Sequence, residues 1–189
     1  MGGIRLVAGL GNPGQDYLET RHNAGFWWVD RLADQSHASL RMDSKMHGLV
    51  ARIPGDIWLI EPQTFMNASG RAVSALARFY KIGPGEILVV HDELDLDPGT
   101  ARLKFGGGLG GHNGLKDIAA HLGTQEFWRL RIGIGHPGEK KNVSDYVLKP
   151  PRKEERDAID DAIDKSLALW PTIAKGDQQA AMLKLHTKA

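Results

Sequence analysis

Two residues far apart in the chain have the side-chain types that activate a water molecule for hydrolysis. His22 precedes a predicted helix and Asp92 follows a predicted buried strand, so both are expected at the sheet edge where ligands bind. A neutral imidazole can take a proton from water because its ordinary pKa is about 6.5. A carboxylate beside the ring fixes its tautomer and stabilises the imidazolium that forms. The pair therefore predicts general-base hydrolysis.

Several other hydrolytic chemistries are incompatible with the sequence. The chain contains no cysteine, which excludes a thiolate nucleophile, a disulfide and zinc–sulfur ligation. No serine stands in the G-x-S-x-G pattern of an α/β-hydrolase, and the H-E-x-x-H pattern of zinc proteases is absent. His22, Asp92 and His112 have the types of a two-histidine, one-carboxylate metal site. Their wide separation in the chain leaves this metal-dependent alternative open.

Glycine is concentrated in segments that can present amide groups to a ligand. Gly9–Gly14 formally matches the dinucleotide-binding pattern, but a turn at Asn12-Pro13-Gly14 replaces the helix start which that pattern requires. We expect this turn to present the Asn12 side chain. Gly106–Gly111 contains five glycines in six residues beside a helix start, which suits anions or a ribose–phosphate backbone. Asn113 is either an ordinary helix cap or a ligand-binding amide.

The charge distribution predicts one basic side. The 189 residues include 24 Lys or Arg and 23 Asp or Glu, so the net charge is only +1. Residues 101–153 nevertheless carry ten basic and four acidic side chains, net +6, and residues 154–164 carry one and six, net −5. Lys104, Arg129 and Arg131 flank the glycine-rich segment. This stretch suits a phosphate-containing partner, so a non-catalytic RNA- or nucleotide-binding module is a second open alternative.

Hydrophobic periodicity predicts the elements that must position these residues. Apolar or alternating segments predict six strands, the second and third joined as a hairpin, over residues 4–10, 49–53, 57–60, 87–90, 100–105 and 130–134. Helical spacing predicts helices capped by Asn23, Asn67 and Asp177, and two more over 115–122 and 154–170. We therefore expect an α/β fold, a single domain over residues 1–189 with a mixed twisted β-sheet flanked by helices on both faces. One of Trp27 and Trp28 is expected to pack inward.

Composition places the chain among ordinary globular proteins. The hydrophobic share is 41% and the charged share 25%, both near the usual values. No apolar run approaches the about 18 residues of a membrane span, and the N-terminus lacks a cationic region followed by an apolar core. We therefore expect a cytoplasmic protein with no membrane association, and nothing in the sequence indicates more than a monomer.

Six sequence blocks in one order resemble the bacterial peptidyl-tRNA hydrolases. They are GLGNPG, Tyr17 with TRHNAG, PQTFMNASG, HDELD, GGGLGGHNGLKDI and RLRIGIGHPG, within residues 9–14, 17–25, 62–70, 91–95, 106–118 and 129–138. The resemblance extends from Ile4 to the end of the chain, and no single block carries it. It implies a single mixed α/β domain, no metal or organic cofactor, and cleavage of the ester between a peptide and the terminal ribose of tRNA.

The resemblance also implies residue roles. His22 corresponds to the general base, Asp92 to the carboxylate that orients and polarises it, and Asn12 to an amide that distinguishes a blocked amine from a free one. Together with Asn12, Asn67 and Asn113 hold the peptide backbone and the tRNA end. The remaining substrate-binding positions are Tyr17, Phe65, Met66 and His112, and the clamp for the tRNA 5′-phosphate comprises Lys104, Arg131 and nearby Arg102.

Overall fold

A mixed β-sheet forms the centre of the molecule. In the computed structural model, which describes residues 2–187, its strands are β1 (Leu6–Gly9), β2 (Arg41–Asp43), β3 (Gly48–Ile53), β4 (Ile57–Pro62), β5 (Ile87–Glu93), β6 (Ala101–Phe105) and β7 (Trp128–Gly133). Within that range the seven strands pair in the order β2-β3-β4-β1-β5-β7-β6. β1 is parallel to β4 and β5, and β5 is parallel to β7. The remaining pairs, toward both edges, are antiparallel, which confirms the predicted mixed sheet.

Helices cover both faces of this sheet. They are α1 (Ala24–Gln35), α2 (Ser69–Phe79), α3 (Asn113–Leu122), α4 (Val143–Val147), α5 (Lys153–Ala168), α6 (Trp170–Ala174) and α7 (Gln178–His186). On one face α1 and α5 pack on Val7, Leu88 and Leu130, and on the other α2 and α3 pack on Leu6 and Val89. The two-sided α/β fold predicted from periodicity is therefore confirmed. Among the residues described, no helix is long and apolar enough to span a bilayer.

The start of α1 is pressed against the ends of two central strands. A methyl group at Gly25 would overlap the carbonyl oxygen of Val90 and lie 2.5 Å from the backbone nitrogen of Leu10. Gly9 is equally confined, because a Cβ there would lie 2.5 Å from the Gly25 carbonyl oxygen. The chain segment that enters α1, which contains His22, is therefore fixed over the carboxyl ends of β1 and β5.

Three predicted features of the helices differ in the structure. Asn23 and Asp177 directly precede α1 and α7, but within residues 2–187 neither side chain makes a capping hydrogen bond. Asn67 lies in a 3-10 turn, Met66–Ala68, before α2 begins at Ser69. Both tryptophans pack inward, not one, because each indole N–H finds an acceptor: Trp27 donates to the Leu18 carbonyl and Trp28 to the Ser166 hydroxyl.

Candidate active site

Asp92 binds two histidines through its two carboxylate oxygens. It lies near the carboxyl end of β5 and is 3% exposed. His22, in the 3-10 turn Arg21–Asn23, places Nδ1 2.8 Å from Asp92 Oδ2. His112, before α3, places Nε2 2.9 Å from Asp92 Oδ1. A carboxylate can only accept hydrogen bonds, so His22 Nδ1 carries the proton and Nε2 of the neutral ring keeps a free lone pair.

The electrostatic environment shifts the pKa values of His22 and Asp92 in directions that favour proton transfer to His22. Burial opposes charge on His22, but the negative charge and hydrogen bond of Asp92 outweigh that effect and raise the pKa of His22 above its ordinary value. Burial likewise favours the neutral form of Asp92, yet the two imidazoles hold the pKa of this carboxyl well below its usual range. Asp92 therefore remains ionised and stabilises a proton taken up by His22.

His91 is a third histidine of the site, which the sequence did not single out. Its Nδ1 donates to the Asp92 backbone carbonyl at 2.7 Å, and its ring packs edge-on against His112, with centroids 5.0 Å apart. Nε2 is buried with no hydrogen-bond partner among the described residues. Burial, followed by repulsion from His112, lowers the pKa of His91 to about 3, so this ring stays neutral. Its sequence signals were its place in the HDELD block and its position between an apolar strand and Asp92.

Asn12 is oriented by a second asparagine. The Asn23 side chain accepts a hydrogen bond from the Asn12 N–H (2.8 Å) and donates one to the Asn12 carbonyl (3.0 Å). This pairing is why Asn23 does not cap α1. The Asn12 side-chain oxygen in turn accepts from the Met66 N–H at 2.7 Å. The amide NH2 of Asn12 is then available to the adjacent cleft.

The other two predicted amides are also brought to this site. Asn67 is exposed, and Asn113 is the first residue of α3. Interpreting Asn113 as the helix cap is wrong, because His112 is the N-cap residue and its Nδ1 accepts from the Leu115 N–H at 3.3 Å. His112 therefore forms hydrogen bonds to α3 through one ring nitrogen and to Asp92 through the other. The Asn113 side chain does not cap the helix.

A cleft of about 640 Å³ brings these groups together. Asn12, His22, Asp92 and the two amides Asn67 and Asn113 line it, together with Met66, Phe65 and His112. One largely apolar part of its wall is formed by α4 with the residue that follows it, through Val143, Val147 and Leu148. Phe65 is 60% exposed, and Tyr17 packs edge-on against it with ring centroids 6.2 Å apart.

The predicted phosphate-binding cations lie outside the cleft, on one face of the β6–β7 pair. Strand register sets Arg102 opposite Arg131 and Lys104 opposite Arg129. Arg131 pairs with Glu93 at 2.9 Å, and Arg102 donates to the His186 carbonyl. Lys104 is exposed and forms no ion pair within residues 2–187. It is therefore the cation of this group most available to a ligand.

Arg129 has a different task from the one the sequence suggested. The residue is 2% exposed, and its guanidinium donates to the carbonyls of Gly108 (2.7 Å) and Gln125 (2.8 Å). Because both acceptors belong to backbone, Arg129 anchors the glycine-rich segment and does not present its charge to solvent.

His22, Asp92 and His112 also have the geometry of a possible metal site. One ligand atom from each lies within 4.8 Å of the others. His22 Nδ1 and His112 Nε2, however, already form hydrogen bonds of 2.8 and 2.9 Å to Asp92, typical charge-assisted lengths. A cation at this point would have to replace both bonds and both ring protons.

Comparison with known proteins identifies the family. A family profile described as peptidyl-tRNA hydrolase matches residues 6–189. The chain belongs to the peptidyl-tRNA hydrolase family. Curated peptidyl-tRNA hydrolases from Nitrosospira multiformis and Thiobacillus denitrificans are 66% and 63% identical over 188 and 184 residues, covering 98% and 97% of this chain and 98% and 91% of theirs. The crystal structure of peptidyl-tRNA hydrolase from Acinetobacter baumannii superposes with a TM-score of 0.95 at 47% identity, covering 98% of this chain and 95% of that one.

Membership of the peptidyl-tRNA hydrolase family decides between the alternatives that the sequence left open. The chain is a hydrolase, and neither a non-catalytic RNA-binding module nor a metal-dependent hydrolase is favoured.

Proposed function

We propose that this chain hydrolyses the ester joining a peptide, or another N-blocked aminoacyl group, to the 3′-terminal ribose of tRNA, releasing tRNA for reuse in translation. The observation that carries the proposal is the His22–Asp92 bond at a cleft wall, in a chain of this family. The bond fixes the proton on Nδ1 and leaves Nε2 as a base within reach of a bound water.

The reaction needs one activated water and a donor for the developing oxyanion. His22 Nε2 takes a proton as water oxygen attacks the ester carbonyl, and Asp92 stabilises the imidazolium that results. The Asn12 NH2 group donates to the oxyanion of the tetrahedral intermediate. When the carbon–ribose oxygen bond breaks, His22 returns its proton to that oxygen. The products are a peptide with a free carboxylate and a tRNA with a 3′-terminal hydroxyl.

The remaining cleft residues are assigned to substrate binding. Asn67 and Asn113 pair with peptide N–H and C=O groups, which every peptide presents whatever its side chains. Phe65, with Tyr17 against it, offers an aromatic surface on which the terminal base of tRNA can stack. Met66 supports this surface. His112 was expected among the substrate-binding residues, but we assign it to positioning Asp92, to which it is bonded.

The cations of the β6–β7 pair are assigned to the 5′-phosphate end of tRNA. Lys104 makes the direct contact, because Arg131 and Arg102 already have protein partners. Contacts to phosphate position RNA without reading its sequence, which suits an enzyme that serves many tRNAs. No cofactor is assigned to the reaction. Because peptidyl-tRNA is a product of translation, we place the enzyme in the cytoplasm, and we assign it as a monomer.

Hydrolysis of matched N-acetyl-aminoacyl-tRNA and free aminoacyl-tRNA tests this function. We expect the wild-type chain to cleave the blocked ester selectively, and His22→Ala to lower kcat by about 10²–10⁴-fold. Binding of tRNA, measured by filter retention, should be nearly unchanged in that variant. Equal cleavage of both esters would indicate a general esterase, and unchanged turnover in His22→Ala would contradict the base assignment.

A further inference from the structure

Arg21, the residue before His22, is bonded to α4, which forms part of the cleft wall. Its side chain is only 9% exposed. One guanidinium nitrogen donates to the Tyr146 carbonyl at 2.9 Å, and the other donates to Glu155 at 3.2 Å. The guanidinium carbon lies 3.8 Å above the Tyr146 ring, and the Arg21 backbone N–H donates to the Lys149 carbonyl. One residue thus contacts both ends of the segment from Tyr146 to Lys149.

Helix α4, which Arg21 contacts, is too short to be stable as an isolated helix. α4 has five residues, whereas isolated helices shorter than about 12 residues are marginal in water. The hydroxyl of Tyr146 donates to the Ile134 carbonyl at 2.6 Å, which gives α4 a second attachment. Its position against the cleft therefore depends on tertiary contacts and not on its own helix energy. These contacts are the hydrogen bonds and the packing of Val143, Tyr146 and Val147 on the hydrophobic core.

The contact uses properties that only arginine has. The planar guanidinium stacks on an aromatic ring while its two terminal nitrogens reach different acceptors, whereas a lysine ammonium is a compact point charge. The Nε atom of Arg21 is buried without a hydrogen-bond partner among the described residues, which is unfavourable. This cost indicates that the other contacts determine where the side chain sits.

We propose that Arg21 is a positioning residue for peptide specificity: it holds the apolar α4 wall at a set distance from His22, so that the cleft favours peptides with apolar side chains. This inference rests on the proposed hydrolysis of peptidyl-tRNA. Leu148, which is 43% exposed, and half-buried Val143 offer apolar surface, which suits a peptide side chain better than ribose or phosphate. Because Arg21 and His22 share one 3-10 turn, the wall and the base are held in a fixed relation.

The test compares two substrates of equal peptide length on one tRNA: N-acetyl-triglycyl-tRNA, which has no side chains, and N-acetyl-trileucyl-tRNA. In Arg21→Lys we expect KM for the leucine substrate to rise about tenfold, with KM for the glycine substrate changed less than about twofold. The pH at which kcat/KM falls on the acid side, which reports His22, should not move. Tyr146→Phe keeps the ring under the guanidinium but removes the bond to Ile134, so it should shift KM in the same direction by less.

Arg156→Lys is the matched control. Arg156 also stacks on an aromatic ring, Trp27 at 3.6 Å, and pairs with a carboxylate, Asp160 at 3.1 Å, but it does not line the cleft. Both KM values should stay unchanged in that variant. Equal effects of Arg21→Lys on the two substrates, or a lower melting temperature with both KM values unchanged, would overturn the inference. A wild-type chain that cleaves neither substrate would instead overturn the proposed function.

Discussion

The two oxygens of Asp92 face rings with different tasks. His22 keeps a free nitrogen toward the cleft, whereas His112 uses both of its nitrogens, one for Asp92 and one for the first turn of α3. His91 adds a third ring that burial keeps neutral. The carboxylate therefore shares its charge with one ring that can gain a proton during the reaction and is held in position by another.

Replacing Asp92 should move the pH dependence in a defined direction. As the proposed base, His22 would accept a proton only when neutral, so kcat/KM should rise with pH through its pKa, which Asp92 raises. In Asp92→Asn that charge is lost while burial still disfavours the imidazolium, so the acid limb should shift to lower pH. We also expect kcat to fall by about 10²–10⁴-fold, as in other enzymes whose histidine loses its carboxylate. A pH–rate profile of both proteins checks this; an unmoved acid limb would contradict the electrostatic role.

At the scale of elements, the site is assembled from turns that join strands to helices. The turn after β1 carries Asn12, the 3-10 turn before α1 carries His22, and the turn before α2 carries Asn67. Asn23 fastens the first two together by bonding both backbone groups of Asn12. These bonds make two segments eleven residues apart behave as one support for the reacting groups.

Asn23→Ala should uncouple these two segments. Two buried backbone groups of Asn12 lose their partners, at about 1–3 kcal/mol for each group left unsatisfied. Because the orientation of the Asn12 side chain in the cleft is then no longer fixed, kcat/KM should fall by about 10–100-fold. The acid limb of the pH profile should stay, since the His22–Asp92 bond does not involve Asn23. Thermal unfolding and a pH–rate profile measure both effects, and full activity in the destabilised variant would rule out this supporting role.

Local sequence predicted most elements but not all of their uses. β5 was expected over residues 87–90, yet it continues to Glu93, because Asp92 and Glu93 pair with Ile132 and Gly133 of β7. The strand ends on three polar residues, so a local hydrophobic pattern could not predict this pairing. Asn23 failed as a cap for the same kind of reason: a distant partner, Asn12, competes for its side chain. β2 and α4 were not predicted, because elements of three and five residues are too short to show a clear periodicity. Both depend on neighbouring segments for their stability.

The cleft residues that the family motifs name lie together in the structure, whereas the exposure and pairing of the cations could not be predicted from the sequence. His22, Asp92, Asn12, Asn67 and Asn113 all line one cleft, as the ordered blocks implied. The sequence could not distinguish Lys104 from Arg129. Lys104 is exposed and unpaired within residues 2–187, whereas the guanidinium of Arg129 donates hydrogen bonds to two backbone carbonyls. Alternation along β6 and β7 puts these cations on one face, but ion pairing depends on which carboxylates lie across from them.

At the scale of the whole molecule, the near-zero net charge conceals a separation of charge. The cations of β6 and β7 lie on the sheet face that α2 and α3 cover, whereas the acidic start of α5 lies on the opposite face. Such a dipolar arrangement orients a polyanion before contact, and salt weakens that orientation.

Lys104→Ala should reduce tRNA affinity and its dependence on salt. Removing one lysine–phosphate interaction lowers the slope of log affinity against log salt by about 0.7–0.9. We therefore expect a higher KM, little change in kcat and a shallower salt dependence. Lys165→Ala is the matched control, because Lys165 is an exposed lysine on α5, across the sheet. A loss confined to kcat, or an equal effect in the control, would contradict the phosphate-binding role.

The contact at Gly25 gives the enzyme a vulnerable position that contains no reactive group. Helix α1 can approach β1 and β5 only because this residue has no side chain, and that approach sets the separation of His22 from Asp92. A single added methyl would push the helix entry outward and separate the proposed base from its carboxylate, with both side chains intact. Substitutions at residue 25 that inactivate the enzyme would then be mistaken for folding defects when judged from sequence alone. Imidazole supplied in solution would not restore activity, because the His22 side chain is still present and only its distance from Asp92 has changed.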